Sequence, residues 1–358
     1  MPHFAAANGR GIVTYSFDEA TGKLKFLAET TDVANPTFLA VVERRGLLYA
    51  TSELFGEPEG LVSAYRIDRG SGALVLINRQ PTRGSLAAHC NVDRQATTVL
   101  VANYGHETPE ETPRRQVASF SLLDDGGLSP ASSEFVHTGS GPKVDRQGVP
   151  HAHCVVPSLD NRFAIVTDLG TDELLAYRIN ADQGRLEPSG VPAMRMKAGS
   201  GPRHFVFHPD GVIAYVVNEL DSTLCRLAYS PTSGELRLLD TIDALPGKPG
   251  AGQPADLHIA ADGRFLYASV RGEDAIGIYR LEHPTGKIVS ASVHPAGGKT
   301  PRNFALSPSG QFMLVALQDS DRLVVYLIDP STGEPAEQVD SVAIGTPMCV
   351  KAVRFAPA

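Results

Sequence analysis

Short runs of alternating apolar and polar residues recur along the whole chain, and none has the spacing of a helix. Ile276-Gly-Ile278-Tyr279-Arg-Leu281 is one such run, and it predicts a strand with one face on a core. It leads into a turn at Gly286, and a second strand follows. The same unit recurs as YSFDEATG (15–22), YRIDRGSG (65–72), YRINADQG (177–184), YRLEHPTG (279–286) and YLIDPSTG (326–333). Looser copies begin at Phe120 and Leu227. Anchored on Gly22, Gly72, Gly126, Gly184, Gly234, Gly286 and Gly333, the steps are 50, 54, 58, 50, 52 and 47 residues.

A period near 50 that fills the chain marks a repeat architecture. Each repeat also holds a Pro-led strand, a hairpin turn and another strand, as in HFVFHPDGVIAYVV (204–217). Four strands per repeat is the content of one propeller blade, and a blade cannot bury its faces without neighbours. The prediction is an all-β, seven-bladed β-propeller with four-stranded blades, forming a single domain over 1–358. With no Trp in the chain, the WD type is excluded. The segment 346–358 repeats the Pro-led strand of 300–310, and 4–18 resembles 265–282. The N- and C-terminal strands are therefore expected to share one blade and close the ring, which removes open sheet edges.

Composition narrows the function. A net charge of -8 disfavours a nucleic-acid surface. No apolar run is long enough to span a bilayer, and the first residues lack a basic, apolar leader. The four cysteines form no C-x-x-C pair, so reduced thiols in the cytoplasm are expected. The expected partner is a small molecule, with neither nucleic acid nor membrane, and the chain is expected to be a monomer or weak homo-oligomer.

In a ring of repeats, equivalent positions form columns around the axis. The residue after the Pro that opens the inner strand gives Thr37, His151, Arg203, Ala255, Arg302 and Met348. The residue closing the next strand gives Asn8, Glu53, Tyr104, Leu169, Glu219, Arg271 and Gln318. His151, Arg203, Glu219, Arg271 and Arg302 are expected to converge on one mouth, where a propeller carries its site. The same alignment puts His153 among Leu39, Phe205 and Phe304, as a buried core histidine. Insertions at 103–116 and 137–148 read as rim loops.

The stretches RQGVPHAH (146–153), DLGTDELLAY (168–177), GPRHFVFHPDG (201–211), VNEL (217–220) and ADGRFLYASVRG (261–272) resemble the seven-bladed β-propeller lactonase family. That family includes 6-phosphogluconolactonases of carbohydrate metabolism and carboxymuconate lactonising enzymes. The resemblance covers essentially the whole chain. It implies a site of one His, two Arg and one Glu, which fall here on His151 (with His153 the alternative), Arg203, Glu219 and Arg271. Gln147, His153 and His204, within these stretches, and Arg302, from the first column, are the expected substrate-binding set.

Opening a lactone needs an activated water, a stabilised oxyanion and a proton for the leaving oxygen. Arginine forks suit the oxyanion and an anionic substituent, and either Glu219 or His151 could be the base. No G-x-S-x-G elbow or H-E-x-x-H pair is present, so the expectation is a cofactor-free, metal-independent hydrolase of an anionic lactone. The alternatives are a lactone-forming cycloisomerase using the same arginines, and a non-catalytic binding propeller.

Overall fold

A computed structural model describes residues 9, 11–105 and 115–355. These residues form an all-β propeller of six complete blades and one two-stranded sheet. Five blades have four strands and one has five. Among the described residues, helix is limited to Val144–Gln147 and two 3-10 turns.

Burial explains why the strands read as they do. The second strand of a blade is sandwiched between neighbouring blades. Leu47–Ser52, Thr98–Asn103, Phe163–Asp168 and Phe312–Leu317 are buried at every residue and are accordingly rich in apolar residues. Outer strands such as Lys23–Thr30 and Leu74–Pro81 are half exposed, and there polar and apolar positions mix.

The anchor glycines serve both the turn and the contact between blades. All seven have positive φ, from 60° at Gly184 to 92° at Gly126. A Cβ on Gly234 would lie 2.7 Å from Phe163 of the preceding blade, and one on Gly333 would lie 2.5 Å from Phe265. The same relation puts Gly22 on Phe312 and Gly72 on Leu27, so the hairpin Ile12–Asp18/Lys23–Thr30 packs between the last complete blade and the first.

The expectation of four strands in every blade is not met among the described residues, because this hairpin pairs with no further strand. The expected strand at Phe4–Asn8, with column residue Asn8, lies outside them, as do 106–114 of the first insertion and 356–358. The described part of the C-terminal segment, 346–355, has no assigned strand.

Candidate functional site at the channel mouth

Strand register shows which residues share a column. The inner strands pair with their neighbours as Pro36↔Ser52, Ala87↔Asn103, Ala152↔Asp168, Pro202↔Asn218 and Pro301↔Leu317. In each, the register then slips by one residue. The extra residues are Thr37, Ala88, His153, Arg203 and Arg302. A bulge re-aims the side chain it carries, and here the same bulge recurs in every one of these blades. His153, not His151, is therefore the equivalent of Arg203, and the column expected from the sequence is corrected at that blade. Pro150 misled the alignment because it lies two residues ahead of Ala152, where Pro36, Pro202 and Pro301 open their strands.

Five members of the second column share a recurring backbone bond at the same end of their blades. The amides of Glu53, Tyr104, Leu169, Glu219 and Gln318 donate to Asn35, Leu86, His151, Gly201 and Thr300, at 2.8–3.2 Å. The two columns thus ring one mouth.

Glu219 is the centre of the charged cluster. Its Oε2 accepts from Arg203 Nε at 2.9 Å and from an Arg271 amino group at 2.8 Å, and its Oε1 accepts from Arg146 at 2.7 Å. These guanidiniums overcome the cost of burial and hold the Glu219 carboxyl far below the usual carboxylate range, Arg271 contributing most. Arg203 is 2% exposed and donates its other arm to the Ala255 carbonyl. Burial, then repulsion from Arg271 and Arg302, pushes its pKa down to about 9. Arg302 is lowered by the same kinds of cause, burial first and Arg271 second.

Beside this cluster is a cavity of about 10 Å³, enough for a single water, lined by Thr37, Glu53, His153, Arg203, His204 and Arg302 among others. His153 is buried with its Nδ1 lacking a hydrogen-bond partner among the described residues. Burial first, then Arg203 and His204, hold it well below the ordinary histidine pKa and therefore neutral. One step deeper, His204 Nδ1 donates to Asp256 Oδ1 at 2.7 Å. Asp256 Oδ2 in turn accepts from Asn303 at 2.5 Å and from His258 at 2.9 Å. Burial and Arg203 outweigh Asp256 and bring the His204 pKa down to about 4.

His151 and Gln147 do not line this cavity. His151 is fully buried with its ring stacked on Tyr104, centroids 4.3 Å apart, and does not line the cavity. Its Nδ1 is 2.8 Å from the Tyr104 carbonyl oxygen, which only accepts, so Nδ1 carries the proton. Its amide donates to Asp168 Oδ1, and Asp168 Oδ2 accepts from His137. Gln147 is also fully buried, donating to the Leu169 carbonyl and accepting from the Lys143 amide, which ties down the second insertion.

Sequence reasoning passed over Arg146, Glu53 and Asp256. Arg146 arrives on the insertion, on no blade column, so no repeat argument could reach it. Glu53 did carry a signal, since it shares its column with Glu219.

Four arginines thus surround two buried carboxylates at one end of the propeller. The chain belongs to the lactonase family of seven-bladed β-propellers, whose description matches residues 1–352. It is 33% identical to a 6-phosphogluconolactonase of Bacillus subtilis, covering 94% of this chain and 93% of that one. A 6-phosphogluconolactonase of Formosa agariphila is 34% identical over 84% and 83% of the two chains. Among solved structures, a periplasmic gluconolactonase from Pseudomonas aeruginosa superposes with a TM-score of 0.86 at 32% identity, covering 95% of this chain and 94% of that one. Among the described residues no helix is long and apolar enough to cross a membrane.

Proposed function

We propose that this protein hydrolyses an anionic sugar-acid lactone, 6-phosphogluconolactone or an aldarate- or hexuronate-derived lactone, without a metal or other cofactor. The observation that carries this reading is the convergence of Arg146, Arg203, Arg271 and Arg302 on Glu219 and Glu53, an excess of positive charge at the mouth. Similarity to 6-phosphogluconolactonases supports the reaction.

In this reading Arg203, Arg271 and Arg302 receive the substrate's anionic group and the developing oxyanion. Glu219 is too weak a base to accept a proton from water, and its work is to hold three guanidiniums in place. His153, neutral and with no partner for Nδ1 among the described residues, takes the water proton. His204 fixes the floor, His151 buttresses the mouth through Tyr104, and Gln147 holds the loop that delivers Arg146. The cytoplasm is the proposed location.

We also infer that the closing blade is shared between the termini. Thr346 has a φ of 42° directly before Pro347, as Asn35, Gly201 and Thr300 have positive φ before Pro36, Pro202 and Pro301. The Val350 amide donates to Asn303 Oδ1 at 2.7 Å, which supports 346–355 as an inner-strand segment beside the last complete blade.

The test of function is a lactone panel assayed with and without a chelator. Turnover of at least one anionic lactone, unchanged by the chelator, is expected. Loss of turnover on chelation would contradict the metal-free mechanism.

A further inference from the structure

Two glutamates occupy equivalent positions in the second column, and their surroundings are opposite. Glu219 is tied by three arginines. Glu53 is 5% exposed, and no ion pair holds its carboxyl among the described residues. It lines the small cavity together with His153, Arg203, His204 and Arg302. Resting on the reading above, we propose that Glu53 is a further catalytic residue, the acid that protonates the ring oxygen as the lactone opens.

The placement fits the step. The Glu53 amide is fixed to the Asn35 carbonyl, and its side chain enters the cavity beside the bulge residue Thr37. His153 comes from a different blade and lines the same cavity, so the group taking a proton from water and the group giving one to the leaving oxygen can flank one reacting centre. Water oxygen bonds to the carbonyl carbon and its proton passes to His153. The ring C–O bond breaks, and its electron pair takes the Glu53 proton. His153 returns its proton to Glu53, and the new carboxylic acid ionises to solvent. No co-reactant besides water is needed.

Burial also biases Glu53 toward its protonated form, more strongly than Arg302, Thr37 and Arg203 oppose it. Two carboxyls whose environments shift them in opposite directions, Glu219 toward the ionised form and Glu53 toward the protonated one, are the pattern of divided acid and structural roles. The charged and titratable groups around Glu53 are Arg302, Arg203, His153 and His204, and the alternative is that Glu53 is only a counter-ion to Arg302.

The experiment compares kcat–pH profiles of the wild type, Glu53→Gln and Glu53→Asp on the best anionic lactone, with folding checked by circular dichroism. The wild type should lose rate on the alkaline side as Glu53 ionises. Glu53→Gln should fall by about 10²-fold or more and lose that limb, and Glu53→Asp should regain part of the rate with the limb present. A Gln variant with wild-type kcat, or one slowed with its alkaline limb unchanged, overturns the role of Glu53 and leaves the lactonase reading standing. A wild type that turns over no lactone overturns both.

Discussion

At the residue scale, the arginines act through fork geometry, and charge alone is not sufficient. Arg203 divides its donors between Glu219 and the Ala255 carbonyl, and a lysine ammonium cannot reach both from one planar group. Arg203→Lys and Arg271→Lys should each lower kcat/KM by about 10²-fold on an anionic lactone, measured by initial rates. Glu219→Gln leaves three guanidiniums facing a neutral amide. Breaking a buried ion pair from one side costs about 3–5 kcal/mol, so urea melts should show a large loss of stability alongside lost activity. The two histidines separate cleanly. His153→Asn should fall by about 10²-fold with the melting curve little changed, whereas His151→Asn should act mainly on stability through the Tyr104 contact. Kinetic damage at His151→Asn with His153→Asn near wild type would return the catalytic role to His151.

At the element scale, the sequence made the strands and turns legible because each blade solves the same problem. Fully buried second strands are continuous apolar runs, and the turn glycines are required by φ and by the neighbouring blade. Gly234→Ala should therefore destabilise by about 1–3 kcal/mol, from the positive φ of 81° and the clash with Phe163, without changing kcat in the folded fraction. Gly310, also at positive φ but with nothing within 4 Å of a Cβ, should cost less when changed to Ala. The bulge was not legible. One extra residue in a strand leaves no mark in an alternation pattern, and Pro150 offered a false strand start. That is why the first column ran through His151 and left His153 in the core column. Arg146 was hidden for a different reason, since its position depends on how an insertion folds back over Tyr104 and Glu219.

For the whole molecule, packing inner strands around one axis buries several histidines together. His89, His153 and His204 are all held below the ordinary histidine pKa, first by burial. In the unfolded chain they protonate as pH falls through about 6.5, while the folded form resists. Stability should therefore decline below about pH 6.5, by up to about 1.4 kcal/mol per pH unit for each histidine, down to about 4 for His204. Asp256 and Glu219, depressed in the fold, add a further loss only at lower pH, once unfolded carboxylates begin to protonate. Urea unfolding at pH 7.5 and pH 5 should show the difference, and His153→Leu should flatten it by one proton's share. A wild-type stability unchanged between those pH values would contradict the neutral histidine cluster.

In the function proposed here, the arginine-lined mouth of this ring selects and opens an anionic lactone. The most direct measurement is kcat/KM for 6-phosphogluconolactone against unphosphorylated gluconolactone, at fixed ionic strength and corrected for spontaneous hydrolysis. The wild type should favour the anionic lactone by about 10²-fold or more, and Arg271→Lys should erode that preference. Equal rates on the two lactones, or none on a wider set of carboxylate-bearing lactones, would contradict it.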